Sequence, residues 1–206
     1  KFGACLELAE WEGGQTHLEN ELFEEADCIT AISRNKTLET IHSRLPNSTT
    51  FLNYGQRVSF GFITKDVMTR ALAREQAHLA ADDVAAWNQQ GCLSPHVIYV
   101  QSGGPLRGEQ FAEMLAVALE QKESEDPRGE LPDTTDTDIT DLQLMYADRS
   151  AEVGDVRIWQ SENSTAWTVV YDREKIFKTS CLNRFIFVKE VIDLDEALRN
   201  TEMVRG

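Results

Sequence analysis

Apolar and polar positions fall into blocks whose period switches from two to between three and four, and back. A short apolar stretch over 5–9 ends at Trp11-Glu12-Gly13-Gly14, a turn signal. Thr16-His17-Leu18-Glu19 then has the spacing of a capping box and predicts a helix running to about Glu25. Cys28–Ile32 is a β-prone run, followed by a polar turn and a helical pattern over 36–44 that Pro46 ends. Extended candidates follow at 50–52 and 57–63, on either side of Asn53-Tyr54-Gly55-Gln56. The Ala-rich stretch 66–87 predicts a long helix, 96–101 a buried strand, and Ser102-Gly103-Gly104-Pro105 the loop after it. A helix over 109–121 carries Phe111, Met114, Leu115, Ala118 and Leu119 on one face. The acidic, Pro- and Thr-containing stretch 122–138 reads as a solvated loop, and 139–152 as a helix. Val156–Gln160 and 166–171 alternate like a hairpin turning at Glu162-Asn163-Ser164. A strand over 184–188 and a helix over 193–199 complete the chain.

Strand, helix, strand, helix is the grammar of an α/β fold with parallel pairing. The expected architecture is a partial nucleotide-binding βαβ layer over 1–63, followed by an α/β catalytic unit over 64–206 that bears a thiol. Of 206 residues, 41% are hydrophobic and 27% charged, ordinary for a globular protein large enough to bury a sizeable core. A net charge of −15 disfavours nucleic-acid backbones and anionic membranes as partners. A small anionic ligand is not disfavoured, because helix amino ends and a few arginines build positive pockets locally. No apolar run reaches the roughly 20 residues that span a bilayer, and no signal peptide is visible, so a cytoplasmic location is expected. Three N-x-S/T sequons, at Asn35, Asn47 and Asn163, are too permissive a pattern to alter that expectation.

Four cysteines, Cys5, Cys28, Cys92 and Cys181, lie far apart and form no metal-ligand spacing or disulfide framework. Cys92 stands apart in Trp87-Asn88-Gln89-Gln90-Gly91-Cys92-Leu93-Ser94-Pro95-His96, between a helical pattern and a strand. A thiolate in such a turn is a candidate nucleophile, with its own backbone N–H available to an oxyanion and Gly91 leaving room for a substrate. The alternative is a small core hydrophobe, the commonest fate of a free cysteine. His96 is a candidate neighbour or a packed histidine. Gly13-Gly14 and Gly103-Gly104 lack the spacing of phosphate-binding loops and read as turns; the carboxylates of 123–141 lack the spacing of a calcium loop.

These stretches, in this order, resemble the acyl-CoA reductase family that includes the long-chain fatty acyl-CoA reductase of bacterial bioluminescence, a branch of the aldehyde dehydrogenase superfamily. The resemblance rests on Trp11-Glu12-Gly13-Gly14, Ala26-Asp27 followed by Thr37, Tyr54-Gly55-Gln56-Arg57-Val58-Ser59-Phe60-Gly61, the Cys92 segment, Trp167-Thr168-Val169-Val170-Tyr171 and Asn183-Arg184-Phe185-Ile186-Phe187-Val188. The segments at Tyr54 and Cys92 are its specific part. It implies that Cys92 takes the acyl group of an acyl-CoA as a thioester, which hydride from NADPH reduces to an aldehyde. Ser33, Tyr54 and Gly55 are the implied cofactor-binding residues, no metal is implied, and homo-oligomers are expected. Asn53 stands where hydrolytic aldehyde dehydrogenases carry a water-activating Glu; an amide nitrogen accepts no proton at neutral pH, which favours reduction over aldehyde oxidation. Ser33-Arg34 replaces an expected Gly-Ser followed by acidic residues, and Cys181 an expected Pro. Family members are more than twice this length and the chain opens on Lys1-Phe2, so a fragment of a longer enzyme is expected. A non-catalytic remnant that binds a partner or an acyl group is the competing reading, and an oxidising aldehyde dehydrogenase is the third.

Overall fold

The chain divides into two units, Lys1–Gln56 and Arg57–Gly206. The structure, a computed structural model, describes residues 3–55 and 57–204. The Lys1-Phe2 start and Gln56 of the Tyr54 motif therefore lie outside the described residues, as do Arg205 and Gly206.

In the first unit, α1 (Thr16–Glu25) precedes β1 (Cys28–Ile32), α2 (Asn35–His42) and β2 (Thr50–Tyr54). β1 and β2 pair in parallel, from Cys28 opposite Thr50 to Ile32 opposite Tyr54, which makes the predicted βαβ unit. The predicted capping box does not form. Gln15 is the N-cap, without a side-chain cap bond. Glu19 is drawn instead to Arg44, which donates Nη1 to its Oε2 at 2.5 Å and Nη2 to Asn20 Oδ1 at 2.6 Å. The Arg44 guanidinium also lies 5.1 Å from the Phe23 ring centroid, so a charged pair and a cation–π contact together outcompete the local cap.

The second unit contains β3 (Ser59–Ile63), α3 (Arg70–Ala85), β4 (Pro95–Gln101), α4 (Gly108–Glu125), α5 (Asp133–Glu152), β5 (Val156–Gln160), β6 (Thr168–Asp172), β7 (Phe185–Val191) and α6 (Leu194–Asn200). Its five-stranded sheet runs β3-β4-β7-β6-β5. All neighbours are parallel except the β5–β6 hairpin, whose turn places Asn163 at φ 52°. Successive residues of the central strands point to opposite faces. Ile98, Val100, Ile186 and Val188 join a core with α3 and α4, including Ala77, Phe111 and Leu115. Val97, Tyr99, Phe185 and Phe187 join a second core with Ile139 and Tyr146 of α5 and Ala197 of α6. A sheet covered on both faces explains why these strands read as unbroken apolar runs.

Three expectations are corrected. The unit boundary falls before β3, not at 63/64, because β3 is hydrogen-bonded along β4 with Phe60 opposite Val97. The helix over 66–87 is broken: a 3₁₀ turn at Lys65–Val67 precedes α3, and a second turn, Ala86–Gln89, follows it. Much of the expected loop over 122–138 is helical. α4 continues to Glu125 with Gln121 donating to Glu125 at 2.9 Å, and α5 opens at Asp133 with Asp136 in its first turn. Side-chain pairing four residues apart and carboxylates at a helix amino end stabilise what composition alone reads as loop.

Candidate functional site

The Cys92 segment begins where α3 stops. Trp87, Asn88 and Gln89 all take left-handed backbone angles, at φ 54°, 49° and 65°. The chain then closes a tight turn in which Ser94 N–H donates to Gly91 O at 3.0 Å, with Cys92 and Leu93 at its tip. A Cβ on Gly91 would stand 3.2 Å from Ser94 Oγ, a tight approach. Ser59 Oγ donates to Cys92 O at 2.8 Å, so the first residue of β3 grips the thiol's main chain. The turn delivers Cys92 to the amino end of β4. Cys92 is exposed, in an open hollow of about 300 Å³ between Asp83, Ala86, Trp87, Leu93 and Ser94. A second hollow of about 90 Å³, walled by Gly61, Ile63, Leu79, Ala80, Pro95 and Ile98, shares Asp83 with the first.

The remaining candidates separate on geometry. Cys181 is half-buried, and burial pushes its thiol up to about 11, which leaves it protonated near neutral pH. Cys5 and Cys28 are exposed in the first unit. His96 is buried: its Nδ1 accepts from Ser180 N–H at 3.1 Å and lies 3.0 Å from Ser180 Oγ, and its ring meets Phe177 edge-on. Burial lowers its pKa and favours the neutral ring; with Nδ1 taken up by Ser180 and no part in lining the Cys92 hollow, it is placed as a packing histidine. Gly104 is a packing glycine, since a Cβ there would come within 2.9 Å of Lys65 O. At the amino end of α4 beyond it, Glu190 Oε2 accepts from Gly108 N–H at 2.7 Å, so a carboxylate already stands where a phosphate would bind. Among the described residues no cluster of His, Cys, Asp and Glu could hold a metal ion, and no helix is long and apolar enough to cross a membrane.

In the first unit, Ser33, Tyr54 and Gly55 come together at the carboxyl ends of β1 and β2, beside the amino end of α2. Ser33 N–H donates to Tyr54 O at 3.2 Å. Gly55 passes so close to α2 that a Cβ would stand 2.3 Å from Asn35 Oδ1. Asn53 is exposed on β2, opposite Ala31.

Residues to which the sequence alone gave no positioning role support the Cys92 turn from behind. Gln89 is buried, and its Nε2 donates to Pro95 O at 2.7 Å and Phe185 O at 3.0 Å. Leu182, Asn183 and Arg184 form a second left-handed run, at φ 66°, 56° and 67°. Asn183 N–H donates to Asn88 O at 3.0 Å, joining the two runs. The one signal in the sequence was Asn at the centre of each run, the non-glycine residue that tolerates this conformation best.

The family model described as acyl-CoA reductase (LuxC) matches residues 4–206. The chain belongs to the LuxC family. Solved structures similar to this LuxC-family chain include an NAD-dependent benzaldehyde dehydrogenase from Corynebacterium glutamicum, with a TM-score of 0.61 at 14% identity over 91% of this chain and 42% of that one. A gamma-glutamyl-gamma-aminobutyraldehyde dehydrogenase from Burkholderia cenocepacia J2315 gives 0.60 at 14% identity, over 89% and 39%. Bifunctional proline utilization A gives 0.62 at 12% identity, over 92% and 20%. Likeness at this identity is likeness of fold, and the fold is that of aldehyde dehydrogenase domains. The LuxC-family chain spans less than half the length of these structures. None of the curated proteins matches it.

Proposed function

We propose that this LuxC-family chain carries the thiol-bearing unit of an NADPH-dependent reductase that converts a long-chain acyl-CoA to the aldehyde. The observation that carries the reading is Cys92: exposed, at the tip of a turn held by Ser59, in an open hollow that shares Asp83 with a second, mostly apolar one. Cys92 Sγ, as thiolate, adds to the thioester carbonyl; the tetrahedral adduct collapses, the C–S bond to CoA breaks, and CoA leaves as its thiolate. The oxygen's transient negative charge falls to the Cys92 backbone N–H, a fixed dipole that needs no reorganisation as the charge develops. The apolar second hollow suits the first carbons of an acyl chain.

Ser33, Tyr54 and Gly55 would hold part of the dinucleotide. They sit at the carboxyl ends of parallel strands and at a helix amino end, where α/β layers receive nucleotides, and a side chain on Gly55 would close the space beside Asn35. When bound, NADPH supplies the hydride that reduction of an acyl group requires. Asn53 stands where the resemblance puts the water-activating Glu of hydrolytic aldehyde dehydrogenases, and an amide is no base, which favours reduction over aldehyde oxidation. A cytoplasmic homo-oligomer remains part of the same proposal.

The test is to incubate the full-length protein with radiolabelled dodecanoyl-CoA and map the adduct. The expected result is label on Cys92, none on Cys92→Ser, and release of dodecanal when NADPH is added. No adduct, or an adduct that survives Cys92→Ser, would favour the partner-binding remnant. Release as dodecanoic acid without aldehyde would count against the reductase.

A further inference from the structure

A buried glutamine closes the loop on which Cys92 stands. Gln89 lies just before the Gly91–Ser94 turn and Pro95 just after it, and the Gln89 amide joins them by donating to Pro95 O at 2.7 Å. The same nitrogen donates to Phe185 O at 3.0 Å, which ties the closed loop to the first residue of β7, the strand beside β4. Gln89 is 1% exposed, so both bonds are shielded from competing water.

The backbone that aims Gln89 inward is costly in itself. Trp87, Asn88 and Gln89 are all left-handed, and so are Leu182, Asn183 and Arg184. Such residues persist only where their surroundings hold them, and they gather where geometry matters to function. Here each run holds the other. Asn183 N–H donates to Asn88 O at 3.0 Å, and Gln90 Nε2 reaches Asn183 Oδ1 at 3.4 Å. Arg128, its side chain 6% exposed, bridges both: its Nη1 donates to Asn183 O and its carbonyl accepts from Asn88 Nδ2, each at 3.4 Å.

We propose that Gln89 is a positioning residue for Cys92, locked in place by the paired left-handed runs at Asn88 and Asn183. It touches no reacting atom. It fixes the two ends of the turn, so that the thiolate meets the carbonyl at one distance and angle. This rests on the acyl-transfer reading of Cys92 given above.

The experiment uses the full-length protein in a Cys5→Ser, Cys28→Ser, Cys181→Ala background, with two readouts. One is the single-turnover rate of Cys92 acylation by radiolabelled dodecanoyl-CoA, per folded molecule. The other is the mobility of a nitroxide attached to Cys92, read by electron paramagnetic resonance. Gln89→Met keeps length and apolar bulk but removes the donor. Its expected result is a loss on the order of 100-fold in the acylation rate, the cost of about 1 Å of misplacement, with the half-saturating acyl-CoA concentration unchanged and a more mobile label. Asn183→Gly keeps the backbone donor and takes positive φ freely but loses the side-chain contacts to Gln90 and Cys181, so it acylates more slowly than wild type and faster than Asn183→Val, which also resists that conformation and loses activity as Gln89→Met does; equal rates in the two variants overturn the proposal. If Gln89→Met does not fold, the Asn183 pair decides. A folded Gln89→Met with wild-type rate and label mobility overturns the proposal. So does a loss that merely follows the unfolded fraction seen by circular dichroism. If wild-type Cys92 takes no acyl group, the acyl-transfer reading falls by itself, and the label's mobility still decides whether Gln89 holds the turn.

Discussion

The two units hold their charges in different ways. In the first, Arg44 pairs with Glu19 where both side chains remain 24% exposed. In the second, Asp172 is wholly buried at the end of β6, with Lys178 Nζ 2.8 Å and Lys189 Nζ 3.4 Å from its Oδ2 and Lys189 equally buried. Water reaches both partners of the first pair but neither Asp172 nor Lys189 in the second, where Lys178 alone of the three stays partly exposed, so the same chemistry carries different weight. The apolar cores differ likewise. Among the described residues of the first unit only Phe23 and Leu38 are buried, whereas the second covers a five-stranded sheet on both faces.

That contrast is broken most directly by dividing the chain. A polypeptide of residues 57–206 is expected to unfold cooperatively on heating, followed by circular dichroism, because both of its cores are built from its own strands and helices. Residues 1–56 alone are expected to show no transition, since a two-stranded sheet with two buried side chains is too small to offset the entropy of ordering its chain. A cooperative transition in the short piece would mean that its exposed surface contributes more than burial indicates.

Next in size is Asp172→Ala. It leaves Lys189, whose ammonium pKa burial already lowers to about 8, with Glu174 O as its remaining acceptor and no carboxylate partner; removing one member of a buried pair costs about 3–5 kcal/mol. The pH dependence has a definite sign. Burial alone would push the Asp172 carboxyl up, but the Lys178 hydrogen bond, the Lys189 charge and the Glu174 N–H hold it below its ordinary value. A carboxyl lowered in the folded state contributes stability above its unfolded pKa and loses it as pH falls through the folded one. Urea midpoints measured from pH 6 down to pH 2 are therefore expected to fall less steeply in Asp172→Ala than in the wild type. Parallel slopes would show that Asp172 titrates alike in both states.

The contrast also separates what the sequence discloses from what it withholds. Alternating apolar runs disclosed the hairpin of β5 and β6, and unbroken ones the strands β4 and β7, because burial on one or both faces writes itself directly into residue type. The βαβ of the first unit was legible for the same reason. The turn that carries Cys92 was legible because Gly91 and its neighbours mark it. Its support was not. Gln89 reads as one more polar residue, and its role depends on Phe185, which is brought near only by the pairing of β4 with β7. Left-handed angles at Trp87 and Leu182 carry no sequence signal at all, since tertiary hydrogen bonds impose them. The helical start of α5 was hidden by its acidic composition, and the fate of His96 by its partner Ser180 on a distant loop.

The smallest expected effect is Arg44→Ala. The guanidinium contacts Glu19, Asn20 and the face of Phe23, a list of partners longer than that of many buried charges. Arg44 and Glu19 are each 24% exposed, where an ion pair contributes about 0–1 kcal/mol, and the cation–π contact on Phe23 adds about 0.5–1. Losing Glu19's partner leaves that carboxylate free to hydrate, which Lys189 cannot do. The expected loss is therefore about 1 kcal/mol, and 1 M salt, which shortens the screening length to about 3 Å, should shrink it further. Thermal midpoints of wild type and Arg44→Ala, with and without salt, measure both. A loss as large as that of Asp172→Ala, or one indifferent to salt, would mean that exposure at Arg44 does not weaken its pairing and that the two units hold their charges alike.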